Sequence, residues 1–338
     1  MKISVIVPVY NSEKTIENTL LALKAQTFEK FETIIVNNCS TDATEQICRN
    51  FCDQDNRFNY VYTDVKGVSN ARNIGLSHAK GEYICFCDAD DIPEKRYLEV
   101  LYEDIIHFNT DCVMCNYFTE RDNCESSFRG GMKGLLSRSE IREKLIPAMF
   151  DTSGGEAAVW GTVWRCIFSR QLIIQHEVKF DDGLTFAEDA CFLLEYMHQC
   201  NSIYLETSVL YRYVMTEGSA MLSYCRYKPQ LAAERIHLIM KLRELLENYG
   251  VDPRCNSINT IFQEYILECV GNAASGGDSR TFSQIKADIK KIIVHSAVRE
   301  IFQRITTDNL KHKIVFYMIR SRKALLLTLY YWVRRRNR

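Results

Sequence analysis

The chain has 338 residues, 46% of them hydrophobic and 25% charged, with a formal net charge of -1. That length exceeds one compact core and predicts one large domain with an appendage, or two domains. The near-neutral balance excludes a general nucleic-acid binder. Fourteen cysteines, in a chain that runs from Met1-Lys2 straight into a strand-like segment without a signal peptide, predict a reducing cytosol and small core residues rather than a disulfide framework. Cys112-x-x-Cys115 lies in an apolar run with no second pair at finger spacing, so a structural zinc is not expected.

The first element is Ile3-Ser-Val-Ile-Val-Pro-Val9, a nearly continuous β-branched run of the kind found in a central parallel strand covered on both faces. Tyr10-Asn11-Ser12 breaks it, and Ile16, Leu20 and Leu23 at helical spacing follow an Asn or Ser cap. Thr33 to Val36 is a second strand, Asn37 to Thr41 a polar loop, and Asp42 to Glu45 an acidic first turn leading to Ile47 and Phe51 on one helix face. Tyr60 to Tyr62 is a third strand. Gly67 to Gly75 begins another helix with Ser69 as its cap, and Tyr83 to Cys87 and Cys112 to Tyr117 continue the alternation. This predicts an α/β, doubly wound, mainly parallel sheet. Right-handed crossovers then bring the loops after Val9, Val36 and Cys87 to one edge, so that Tyr10, Asn38 and Asp88 face one ligand.

Asp88, Asp90 and Asp91 follow the Tyr83 to Cys87 strand at its carboxyl end, where open α/β sheets bind ligands. Hard oxygen groups this close suit Mg²⁺ or Mn²⁺ shared with substrate phosphates; the competing reading is a solvated acidic turn, with Ile92-Pro93 starting a helix. No Gly-x-Gly-x-x-Gly follows the first strand and no Walker lysine is present, which counts against nicotinamide and P-loop chemistry. A metal on Asp88 and Asp90, with Arg72, meets the phosphates instead.

Phe118 to Gly134 reads as an excursion from the sheet, and Thr152-Ser-Gly-Gly155 as a segment that closes beside the site. Trp160 and Trp164 stack on a sugar or serve as core. Glu188 and Asp189 precede an apolar helix, Cys191 to Met197, whose N-terminus holds a carboxylate ionised or is merely capped by it. From about Lys228 the pattern is helical: Leu238, Leu242 and Leu245, then Ile258 to Val270, Ile285 to Ile293 and Leu310 to Ile319. Ala324 to Val333 is apolar and bracketed by arginines and lysine. Its ten positions are too few to span a bilayer, so it lies in the interface of a cytoplasmic membrane face or packs as a last helix.

Val7-Pro-Val-Tyr-Asn11, Val36-Asn-Asn-Cys-Ser-Thr-Asp42, Gly67 to Gly75, Gly81-Glu-Tyr83 through Asp88-Ala-Asp-Asp91, Trp164 to Phe168, Phe186-Ala-Glu-Asp189 and Tyr211-Arg-Tyr213 together resemble a family 2 glycosyltransferase of the GT-A fold. The resemblance spans about the first 220 residues. It implies a GT-A domain over 1–225, with a nucleotide-binding half at 1–117 and an acceptor half at 118–225, before a helical appendage at 226–338. It also implies that Pro8, Tyr10 and Asn38 line the base and that Arg72 reaches the base or diphosphate. Asp88 and Asp90 would address ribose and Mn²⁺ or Mg²⁺, with Asp91 and Glu188 in support, and Asp189 would be the catalytic base. Asn37-Asn38 departs from the acidic pair or acid-Asn pair common in the family at this place; an Asn still hydrogen-bonds a uracil imide. The implied reaction is inverting transfer from a nucleotide diphosphate sugar, a UDP-hexose or UDP-N-acetylhexosamine, to a saccharide acceptor, including a lipid-linked one in surface polysaccharide or capsule synthesis. The alternatives are a sugar-1-phosphate nucleotidyltransferase, which wants a basic Gly-rich loop not seen here, and a non-catalytic glycan-binding subunit.

Overall fold

A computed structural model describes the chain except for residues 121–122, 127, 129–130, 152–160, 215–226, 276–279, 306, 308 and 337–338. The chain divides into two compact units, Met1–Met149 with Ala157–Glu217, and Phe150–Glu156 with Gly218–Arg338.

The first unit is built on one mixed sheet. Strand β1 (Ile3–Val9) is buried at every position but Pro8, and β2 (Phe31–Asn38) at all eight, as β-branched runs covered on both faces must be. With β3 (Phe58–Thr63) and β4 (Tyr83–Phe86) they form a parallel set in the order β3-β2-β1-β4. Between them run helices α1 (Ile16–Lys24), α2 (Thr44–Gln54) and α3 (Val68–His78). The central first strand and its β/α alternation are therefore as the sequence predicts.

Beyond β4 the sheet changes character. After β5 (Ile92–Pro93) and α4 (Tyr97–His107) come β6 (Cys112–Thr119), β7 (Cys124–Glu125) and β8 (Gly134–Ser137). Helices α5 (Arg138–Glu140) and α6 (Ile146–Met149), joined by a π-helical turn, lead to β9 (Cys166–Ser169), α7 (Arg170–Gln175), α8 (Glu188–Gln199) and β10 (Ser202–Tyr213). Strand β9 inserts between β4 and β6, antiparallel to both, and β10 pairs parallel to β6. The antiparallel insertion is not legible from Cys166–Ser169, whose first three residues are all buried and carry no alternation. Ile92-Pro93 does not start a helix: it pairs with Tyr211 and Arg212 of β10 in a two-residue edge strand, where a proline is tolerated. Residues 118–119 extend β6 rather than leave the sheet, and β7 folds back onto them.

The second unit is helical: α9 (Leu231–Asn248), α10 (Asn256–Ser275), α11 (Phe282–Val294), α12 (Ser296–Ile301), α13 (Leu310–Arg320) and α14 (Ala324–Arg336). Leu238, Leu242 and Leu245 bury one face of α9, and Arg235 of the same helix pairs with Glu268 of α10 at 2.9 Å. Thr281 and Gln284 form a capping box on α11, and Asn309 caps α13.

Candidate active site

The carboxyl ends of β1, β2 and β4 converge on one edge of the sheet, and their loops are braced against each other. Asn11 and Cys39 both take left-handed backbone, with φ of 47° and 62°, a conformation that costs a non-glycine residue and persists only where its surroundings enforce it. The enforcement is visible. Asn11 Oδ1 accepts from the Thr41 amide at 2.8 Å, Ser40 Oγ accepts from the Asn11 amide at 3.0 Å, and Glu13 accepts from the Ala43 amide at 3.0 Å. Tyr10 stands half-exposed at the rim with Lys66 over its ring, and Pro8 is half-buried just inside it.

The two asparagines after β2 have different work. Asn37 is fully buried, donating to the Tyr60 hydroxyl at 2.9 Å and accepting from the Ser40 amide at 3.1 Å. Asn38 donates to the Val65 carbonyl at 2.7 Å and accepts from the Gly67 amide at 2.8 Å, so it ties this loop to the start of α3. An amide offers two donors and two lone pairs, so Asn38 keeps one of each beyond these bonds. Ser69 is not the cap of α3. Gly67 occupies that position with φ of 133°, which L side chains rarely adopt, and the Ser69 hydroxyl lies buried against the Leu184 carbonyl at 3.3 Å.

At the end of β4 the three aspartates part company. Asp91 is wholly buried: Oδ1 accepts from the Val214 amide at 2.9 Å, while Oδ2 has no hydrogen-bond partner. Burial first, then the charges of Asp88 and Asp90, push its carboxyl well above the usual range. Asp88 and Asp90 are half-buried. The Asp88 amide is fixed by the Tyr211 hydroxyl at 3.2 Å, and Asp88 Oδ1 accepts from Arg72 at 3.0 Å. Beneath lies Trp164, 4% exposed, its ring stacked on Tyr211 at 4.5 Å and Tyr213 at 5.7 Å. Trp164 is therefore core under the aspartates and has no face for a sugar. Trp160 and Thr152 to Gly155 lie outside the described residues.

Arg72 connects this corner to α8. Its guanidinium is buried over the Phe180 ring and reaches Asp88 on one side and Glu188, at 2.8 Å, on the other. Burial opposes its charge, but Asp88 and Glu188 keep it firmly protonated. Among the described residues its Nε–H has no hydrogen-bond partner, so Arg72 keeps a donor beyond these two carboxylates. Asn73 clasps the same segment, donating to the Phe180 carbonyl at 2.8 Å and accepting from the Phe180 amide at 2.9 Å. The Gly67 to Gly75 stretch thus holds the 180–189 segment through Ser69, Arg72 and Asn73. Reading that stretch as a helix start gives no sign of this, because all three partners are more than 100 residues away.

Helix α8 begins after Ala187, a non-glycine residue at φ 56°. Gly161 abuts the same turn: a Cβ there would come within 2.5 Å of the Ala190 Cα, so the backbones meet where no side chain fits. Glu188 is buried on Arg72, whereas Asp189 remains partly open, its Oδ1 accepting from the Ala190 amide at 2.8 Å. The enclosing protein and the neighbouring Glu188 charge push the Asp189 carboxyl up, although Arg72 and that amide oppose them. Of the two readings of this turn, a carboxylate held ionised by the helix N-terminus or a simple cap, the upward direction of Asp189 disfavours the first, and its bond to the Ala190 amide is local to the helix start. Asp181 is tied to the Gly183 amide at 2.8 Å, and exposed Asp182 meets Asn73 at 3.3 Å.

Among the described residues no three His, Cys, Asp or Glu side chains converge as a cage for an ion. The donors at the β4 end are nonetheless hard oxygens, and a Mg²⁺-type ion keeps its waters and takes only one or two carboxylates beside substrate phosphates. Asp90 and Asp88 fit that mode; Asp91, turned into the protein, does not.

The family model described as glycosyl transferase family 2 matches residues 4–162. Glycosyltransferase GlyG of Streptococcus pneumoniae serotype 4 is 31% identical over 222 residues, covering 65% of this chain and 72% of GlyG. Glycosyltransferase GlyA of the same strain is 27% identical over 309 residues, 88% of this chain; the chain spans only 42% of GlyA. Among solved structures, Staphylococcus aureus TarS 1–349 in complex with UDP-GlcNAc superposes with a TM-score of 0.66 at 20% identity, covering 100% of this chain and 93% of that one. The α/β GT-A fold with a helical region after it is thus the fold observed.

Proposed function

The chain belongs to glycosyl transferase family 2, and from that premise we propose that it is a metal-dependent, inverting enzyme that moves a sugar from a UDP-hexose or UDP-N-acetylhexosamine to a saccharide hydroxyl. The observation that carries this reading is the joining of Asp88 and Glu188 by Arg72, which sets the acids after β4 beside Asp189 of α8. Tyr10, Pro8 and the spare hydrogen-bonding capacity of Asn38 form the seat for the base; a uracil imide suits that amide. TarS, a fold relative, binds UDP-GlcNAc. Mn²⁺ or Mg²⁺ bound through Asp90 and Asp88 would supply positive charge that offsets the charge on the departing diphosphate. Asp189 takes the proton of the acceptor hydroxyl as its oxygen attacks the anomeric carbon and the bond to the diphosphate breaks. Glu188, neutralised by Arg72, positions that turn of helix. The acceptor we assign is a saccharide carried on a lipid at the inner membrane face, in surface polysaccharide synthesis.

Purified full-length chain offered a panel of nucleotide sugars with Mn²⁺ tests this by the nucleotide released. Release of UDP from one or a few UDP-sugars is expected, rising with a saccharide acceptor. Pyrophosphate formation from a sugar 1-phosphate and a nucleoside triphosphate would instead mark a nucleotidyltransferase, and no turnover with any donor would mark a binding subunit.

A further inference from the structure

We propose that helices α13 and α14 form a docking surface for an anionic lipid bilayer. Each helix has already given one face to the core of its unit: Val315, Phe316, Met318 and Ile319 are buried on α13, and Ala324, Leu327 and Thr328 on α14. A second apolar stripe remains on each. On α14 it is Leu325, Leu326, Leu329 and Val333, which lie 43% to 56% exposed at helical spacing; on α13 it is Leu310, Ile314 and Tyr317, 52% to 71% exposed.

Charge identifies the occupant. Of the chain's 42 basic residues nine lie in 310–338, and of its 43 acidic residues none does. That segment is therefore +9, while residues 1–309 sum to -10. Lys311, Lys313, Arg320, Arg322 and Lys323 are exposed among or beside the apolar stripes. A two-fold contact between identical copies of this surface would bring like charges together. No helix of the described residues is long and apolar enough to cross a membrane. An apolar stripe on a basic segment that itself carries no acidic residue, with Glu264 of α10 meeting it at His312 and Tyr-Tyr-Trp beside it, is the chemistry of a helix lying in the interface of an anionic bilayer. This surface is independent of the transfer chemistry, so either reading can fail alone.

The full chain should co-sediment with vesicles of phosphatidylcholine and phosphatidylglycerol, much less with phosphatidylcholine alone, and the binding should weaken as salt rises. Replacing Leu325, Leu329 and Val333 by Ser, all on the exposed stripe, should lower vesicle affinity on the order of tenfold or more while leaving the melting temperature unchanged. If that variant melts early, the exposed charges serve instead: Arg320→Gln, Arg322→Gln and Lys323→Gln together should lower binding to anionic vesicles several-fold, by roughly the loss of three basic contacts. Undiminished vesicle binding by these variants overturns the proposal. So does a concentration-dependent dimer abolished by the serine changes, which would make the surface a contact between copies.

Discussion

The acids at the end of β4 and those at the start of α8 resemble each other in sequence, yet the fold treats them differently. At β4 one carboxyl, Asp91, is turned inward and pushed well above the usual range, while Asp88 and Asp90 stay at the edge of the sheet. At α8 the inward member, Glu188, is paired to Arg72, and the partly open one, Asp189, is the one whose carboxyl is pushed up. Under the proposed function the first arrangement serves a cation and a diphosphate. The second holds a carboxyl above its ordinary range, which suits the proton acceptor of the proposed reaction. Neighbouring acids therefore acquire different surroundings through what each one faces, and Arg72 faces one from each pair.

The largest test of that division removes the donor side. Asp90→Ala should abolish transfer, and wild-type enzyme in excess chelator should lose activity likewise; full turnover under chelation would remove metal from the account. Breaking the link comes next. Arg72→Gln leaves Asp88 and Glu188 as partly buried charges without their partner, so the protein should lose about 3 kcal/mol of stability, read as a lowered urea midpoint, together with turnover. A well-folded, fully stable Arg72→Gln protein would mean that the bridge does not organise the site.

A smaller effect is expected in the pH profile. The base must be ionised, and a raised carboxyl requires a higher pH for that, so kcat/KM should fall as pH drops from a point above the ordinary carboxylate range. Glu188→Gln removes a charge that raises Asp189 and frees Arg72 to lower it. Both act in the same direction, and the acid limb should move to lower pH. An unmoved limb would assign it to another group.

Much of the donor edge is legible in the sequence because it depends on short-range rules. β-branched runs give buried parallel strands, and right-handed crossovers bring Tyr10, Asn38 and Asp88 to one edge. What is not legible depends on distant partners. The antiparallel β9 has no periodic signature, and the seating of Trp164 beneath the aspartates requires Tyr211 and Tyr213. The upward push on the Asp189 carboxyl comes from enclosure and from Glu188, neither of which its helix position reveals. Likewise Ser69, Arg72 and Asn73 are a helix start in sequence and the clasp of the 180–189 segment in the fold.

The division of labour is tested most directly by measuring nucleotide-sugar affinity and turnover on one preparation of Asp189→Asn, beside Glu188→Gln. Donor affinity of Asp189→Asn should stay within about twofold of the parent while kcat falls on the order of a hundredfold or more, with a smaller loss for Glu188→Gln. Equal and mild losses of kcat in the two variants, or a loss of donor affinity in Asp189→Asn matching its loss of rate, would contradict it and direct the search for the base to Asp181 and Asp182.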